Sequence, residues 1–191
     1  MKKVIILASG EGTTCEFLLE QQKLGQLNIF VQAIIVDRNC GVLNVAKAYN
    51  IPSALIVPFK GMDSHLWDQK IWQFIKAADP DFVLTLGFLR KLGPKVVKGL
   101  QNKIINSHPS LLPAYGGKGM YGSNIHKKII ANKEPKTGVT IHYINENYDE
   151  GQIINQKEIK VMPGETAEHL EERVKQIEKG FLIETLQKIF N

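Results

Sequence analysis

The chain has 191 residues, 43% hydrophobic and 23% charged, an ordinary balance for a globular protein and enough for one sizeable core. A net charge of +5 would suit nucleic acid, but the lysines and arginines are scattered beside acidic residues, with no basic block or interleaved aromatics, so a pocket for a small anionic substrate is the better reading. No apolar run approaches the roughly 18 residues of a membrane span, and Cys15 and Cys40 make no disulfide framework, so neither nucleic acid nor membrane is expected as a partner and a reducing cytoplasm is the expected location.

The opening apolar run, residues 4–8, is too short for a signal peptide and reads as a strand. Ser9-Gly10-Glu11-Gly12-Thr13-Thr14 follows, with Thr13 or Thr14 as helix cap and helical periodicity to residue 23. Strand, glycine turn and helix is a geometry that holds phosphate, because backbone N–H groups can approach an anion there. The stretch lacks the third glycine of a dinucleotide fingerprint and the Gly-Lys-Ser/Thr of a P-loop, so an ordinary tight turn fits it equally well. Residues 31–36 form a second buried strand ended by Asp37, which suits a turn or cap better than a ribose contact. Residues 42–49 read as a helix and 54–57 as a short strand.

A helix starts at Asp63 and runs to about 78, with Leu66, Trp67, Ile71, Phe74 and Ile75 spaced for a core face. Residues 82–86 are a central parallel strand, and the loop Gly87-Phe88-Leu89-Arg90-Lys91-Leu92 leads to Pro94 in the first turn of a helix. That loop suits a ligand wall or an ordinary connection. Alternating strands and helices over residues 1–106 predict a parallel sheet covered on both faces.

Next, Ile104-Ile105 open a buried strand that changes abruptly to Asn106-Ser107-His108-Pro109-Ser110-Leu111-Leu112-Pro113. Pro109 lacks an N–H and holds His108 extended, so polar side chains arrive at the rim of the sheet. Asn106 and His108, two apart, share a face of an extended segment, and an amide beside an imidazole suits stabilisation of a developing oxyanion. A glycine-rich loop, a helix from Ser123 or Asn124 to 131, strands over 137–144 and 152–159, and a last helix from Pro163-Gly164-Glu165-Thr166 to about 189 complete the chain. Asp149, in the polar loop between the two strands, would favour a charged imidazole if it folds over His108.

Asn106-x-His108 directly followed by Pro-Ser-Leu-Leu-Pro, with Asp149-Glu150-Gly151-x-Ile153-Ile154 some forty residues on, resembles the folate-dependent formyltransferases. The resemblance spans nearly the whole chain. It implies an α/β fold: a single Rossmann-like domain over residues 1–191, with a mostly parallel sheet, helices on both faces and a C-terminal β-hairpin plus helix. It also implies an enzyme that transfers formyl from 10-formyltetrahydrofolate, as co-substrate and without a metal, to the amine of glycinamide ribonucleotide in purine synthesis. On that resemblance Asn106 and protonated His108 stabilise the oxyanion, while Asp149 tunes His108 or positions a proton-relaying water. Gly12, Thr13, Thr14 and Glu178 hold the phosphate and ribose of the acceptor. Leu89, Arg90, Lys91 and Leu92 wall the pterin, largely through backbone groups, beside Asn106. A monomer or homodimer acting on small molecules is expected.

Two departures from the family pattern concern the acceptor: Thr13-Thr14 in place of Ser-Asn, and the sequence of the 115–121 loop, where Lys118 is expected to be solvated. The rivals are a sugar-nucleotide N-formyltransferase, another folate-dependent amine formyltransferase, and a noncatalytic nucleotide- or folate-binding module. A tRNA formyltransferase would be expected to carry a further C-terminal domain, for which the chain leaves no room.

Overall fold

Apolar runs bounded by turn residues become the strands of one seven-stranded sheet. The computed structural model describes residues 1–59 and 61–190. The strands β1 (Lys2–Ala8), β2 (Ile29–Val36), β3 (Ser53–Leu55), β4 (Phe82–Thr85) and β5 (Ile104–His108) are parallel, and β6 (Lys136–Tyr143) and β7 (Ile153–Lys160) follow antiparallel, in the order β3-β2-β1-β4-β5-β6-β7. The helices are α1 (Thr13–Lys23), α2 (Val42–Ala48), α3 (Ser64–Ala78), α4 (Pro94–Gly99), α5 (Ser123–Ala131) and α6 (Ala167–Phe190).

Side-chain alternation along β1 builds a core on each face. Val4, Ile6 and Ala8 join residues of α1, α2, α5 and α6, while Ile5 and Leu7 join residues of α3 and α4. Each fully buried aliphatic side chain contributes about 1.5–3 kcal/mol. Because β1 lies between β2 and β4, the chain crosses in opposite directions from their carboxyl ends. The crevice left there is where ligands enter folds of this kind.

Four details depart from the sequence reading. No threonine caps α1: Gly12, at φ 86, holds the N-cap with no side-chain bond. A Cβ on Gly12 would lie 2.8 Å from Val42 Cα, so the turn needs glycine there. Gly122, not Ser123 or Asn124, likewise precedes α5 without a side-chain cap. The pairing of β5 continues through Asn106, Ser107 and His108, because β6 supplies backbone partners from Tyr143 to Thr140. Leu66, expected in the core, is 54% exposed, whereas Trp67, Ile71 and Ile75 are buried. As expected, Asp63 caps α3 by accepting from His65 N–H, and Pro94 occupies the first turn of α4.

Candidate active site

The carboxyl end of β5 carries Asn106 and His108 toward the α3/α4 face and Ser107 toward the opposite one, the direct consequence of a two-residue period. Register places Asn106 opposite His142 and His108 opposite Thr140. Asn106 Oδ1 accepts from Thr85 Oγ1 at 2.7 Å, and Asn106 Nδ2 lies 3.0 Å from His142 Nε2. His142 Nδ1 lies 2.9 Å from the Tyr143 carbonyl, which can only accept, so Nδ1 carries the proton and Nε2 receives Asn106 N–H. Burial pushes the His142 pKa below its usual value, against the Tyr143 hydrogen bond and the Asp149 charge, so the ring stays neutral, as this arrangement requires. The Asn106 amide is thereby fixed in one sense, and its second N–H is left for a ligand.

His108 is 4% exposed, and its Nε2 donates to the Tyr115 carbonyl at 2.8 Å. That leaves the Nδ1 edge for chemistry, and Asp149 faces it: Asp149 Oδ1 is 3.7 Å from His108 Nδ1 and 3.7 Å from His142 Nε2. The spacing is too long for a direct hydrogen bond and suits one through water. Asp149 Oδ2 accepts from Gly117 N–H at 2.8 Å, which ties the hairpin loop to the glycine-rich loop. Gly151 permits this hairpin, since a Cβ there would lie 1.7 Å from the Tyr143 carbonyl oxygen. An amide, an imidazole and a carboxylate thus converge, as the sequence suggests. His142, Thr85, the Tyr115 carbonyl and the Gly117 N–H belong to the same site and were not anticipated.

The other expected residues fall into two groups, one on each face. On the α1/α6 side, Gly12 precedes the uncapped N-terminus of α1, with Thr13 exposed and Thr14 half-buried. Glu178 of α6 accepts from Ser107 Oγ at 2.5 Å. Burial raises the Glu178 pKa, against the Ser107 bond and the charges of Lys175 and Lys179. On the α3/α4 side, Leu89, Arg90 and Lys91 line a cavity of about 520 Å3 with Phe59, Trp67 and Tyr148, while the Leu92 side chain is buried in the core. Lys118 is exposed. Asp37 lies in the bend after β2, and its buried carboxylate, instead of capping backbone, pairs with Arg38 and Arg90, each at 2.9 Å. Its partner Arg90 lies too far along the chain for local pattern to show. Among the described residues, no group of three His, Cys, Asp or Glu is placed to hold a metal ion, and no helix is long and apolar enough to cross a membrane.

Glu178 yields a pH prediction. A carboxyl with a raised folded pKa binds its proton more readily in the native state, so its effect on stability is favourable at low pH and lost as pH rises through that pKa. Glu178→Gln removes this cost at neutral pH while keeping an acceptor for Ser107. Melting curves should show Tm higher by about 2–4 °C per kcal/mol gained.

A doubly wound α/β sheet that sets an amide and an imidazole side by side at the carboxyl end of β5 offers two donors that suit an oxygen gaining negative charge. The formyl transferase family model matches residues 2–186, and the chain belongs to that family. It is 33% identical over 189 residues to the chloroplastic phosphoribosylglycinamide formyltransferase of Vigna unguiculata, covering 98% of this chain and 61% of that protein. With the Mycobacterium tuberculosis phosphoribosylglycinamide formyltransferase it shares 30% over 181 residues, covering 95% of this chain and 81% of that protein. The chain therefore spans about three fifths of the plant relative's length. The crystal structure of phosphoribosylglycinamide formyltransferase from Bacillus halodurans superposes with a TM-score of 0.91 at 33% identity, covering 98% of this chain and 95% of that one. Glycinamide ribonucleotide transformylase 1 from Geobacillus kaustophilus gives 0.92 at 31%, with both chains fully covered.

Proposed function

We propose that the chain, as one unit over residues 1–191, transfers the formyl group of 10-formyltetrahydrofolate to the amine of glycinamide ribonucleotide, giving formylglycinamide ribonucleotide and tetrahydrofolate in purine synthesis. The observation that carries the reading is the fixed Asn106 amide beside the His108–Asp149 pair, each placed to serve one carbonyl oxygen. The substrate amine attacks the formyl carbon and its C–N bond forms. The carbonyl electrons move to oxygen, where Asn106 Nδ2–H and protonated His108 Nδ1–H donate. Collapse breaks the bond from carbon to folate N10, and the proton lost by the amine ends on N10, relayed through His108 and a water held by Asp149. No covalent enzyme intermediate is needed, so Cys15 and Cys40 have no part, and the reducing cytoplasm is the compartment we assign them.

Both substrates reach this centre from opposite faces of the sheet. The acceptor phosphate lies at the α1 N-terminus with Gly12, Thr13 and Thr14, and its ribose meets Glu178. The pterin lies along residues 89–92. An α-helix N-terminus with its N–H groups uncapped favours a dianion, which supports the first placement. Ionised Glu178 accepts more strongly from ribose hydroxyls than its protonated form, so the acceptor KM should rise in mildly acidic buffer in the native enzyme. In Glu178→Gln it should be raised at all pH by about tenfold, the scale of one hydrogen bond to a charged group. The test of the function is a spectroscopic assay of 10-formyltetrahydrofolate with glycinamide ribonucleotide. Acceptor-dependent release of deformylated folate supports it. Folate binding without turnover would redirect the acceptor to amino-sugar nucleotides.

A further inference from the structure

The connection from β4 to α4 is fastened at both ends by carboxylates that the proposed chemistry does not use. At its start, the Leu89 N–H donates to Ser9 Oγ at 3.0 Å, and the Ser9 hydroxyl lies near enough to the Asp37 carboxylate to favour its charge. Asp37 Oδ2 receives Arg90 Nε at 2.9 Å, while Arg38 holds the same carboxylate through Nε at 3.1 Å and Nη2 at 2.9 Å. Burial alone would raise the Asp37 pKa, but the Arg38 hydrogen bonds, the nearby Ser9 hydroxyl and the two guanidinium charges bring it below the usual range, so it stays ionised. At the far end, Asp68 of α3, 2% exposed, accepts from Lys95 N–H at 2.8 Å and from Val96 N–H at 3.4 Å, capping α4 from a neighbouring helix. Just before the first of these points Phe88 stacks on Trp67, the residue before Asp68, with ring centroids 6.3 Å apart and planes 6° apart. Leu89, Arg90 and Lys91 themselves are exposed and have little burial to hold them.

We propose that Asp37, acting through Ser9 and Arg90, and Asp68, acting through the start of α4, are positioning residues for the folate donor. They preset the peptide groups of residues 89–92 so that the pterin meets a formed wall. The inference rests on the reading that the donor lies along this loop. Recognition by peptide groups depends on where the backbone sits. A wall that ordered only on binding would forfeit affinity to conformational entropy. Two fastenings from different elements remove that freedom before the ligand arrives. Neither carboxylate lines the cavity, so their effect reaches the donor only through the loop.

The test uses the whole chain and three variants: Ser9→Ala, Asp37→Asn and Asp68→Asn. For each, the KM of donor and of acceptor, kcat, Tm, and the Kd of a dideaza folate analogue read by tryptophan fluorescence are measured. Ser9→Ala and Asp37→Asn should raise the donor KM and the analogue Kd by about tenfold, with the acceptor KM within about twofold, the pattern of lost binding to one substrate. Asp68→Asn should move the same two quantities by a smaller factor. If Asp37→Asn does not fold, Ser9→Ala, which deletes one hydroxyl and no charge, decides. An analogue Kd within twofold of the parent in Ser9→Ala and in any folded Asp37→Asn overturns the proposal, as does a parallel rise in both KM values. If the parent binds the analogue but does not formylate glycinamide ribonucleotide, the acceptor assignment fails, and the analogue Kd still decides the role of the two carboxylates.

Discussion

Replacing His108 with alanine should lower kcat by about 10²–10⁴-fold, the usual contribution of a positioned acid–base group. The geometry says why no neighbour compensates. His142 is the nearest other imidazole to Asp149, but its Nδ1 proton is committed to the Tyr143 carbonyl and its Nε2 to Asn106. Burial keeps it neutral as well, so it has no proton to lend on the reacting side. Loss of the His108 ring also strands the half-buried Tyr115 carbonyl, which costs about 1 kcal/mol, less than for a fully buried acceptor. Tm should therefore fall while the Kd of a folate analogue stays within a few-fold, because the donor wall lies on another loop. Single-turnover formyl transfer with saturating donor separates the two effects. A kcat within twofold of the parent would remove His108 from the chemistry.

Much of this site is legible in the sequence because its residues are close along the chain or part of one motif. Asn106 and His108 share a strand face by period alone, and the prolines after them mark the strand end. The parallel core is legible for the same kind of reason: β1, β2 and β4 are mostly apolar runs, β2 interrupted only at Gln32, closed by turn residues, which is what a strand covered on both faces looks like. Asp149 is legible from its motif; the demand for glycine at Gly151 shows only in the structure, where a Cβ would lie 1.7 Å from the Tyr143 carbonyl oxygen.

What sequence does not show is cross-strand partnership. His142 sits in an alternating strand and reads as one more position of it; only the β5–β6 register places it opposite Asn106. Thr85 reaches Asn106 because β4 and β5 are neighbours in register. The same limit hides Asp37, whose partner Arg90 belongs to the loop after β4. The missed cap of α1 has a different cause. Thr13 and Thr14 are good capping residues, but Val42 packs so close to Gly12 that the turn must take a left-handed glycine, and the threonines move inside the helix. Tertiary contact overrides local preference at that point, and the result leaves the N-terminus of α1 without a side-chain cap.

Asn106→Ala should cost about 10²–10³-fold in kcat, the loss seen when one donor to an oxyanion is deleted, with the donor Kd changed only a few-fold. The sharper variant is Asn106→Asp, which keeps the shape and removes the N–H. Its inner oxygen can still accept from Thr85 Oγ1, but its outer oxygen would face the lone pair of His142 Nε2, where the native amide donates. Two acceptors at that distance repel, and the pair settles only by taking up a proton between them. An added carboxylate here would also lie beside the Asp149 charge, which already faces His142 at 3.7 Å. Asn106→Asp should therefore lose at least as much kcat as the alanine variant, and its residual activity should be greater in acid, where the shared proton is supplied. The pH dependence of single-turnover transfer in the two variants reads this directly. Equal pH profiles for the alanine and aspartate variants would mean that His142 does not set the amide, and that Thr85 alone fixes its direction.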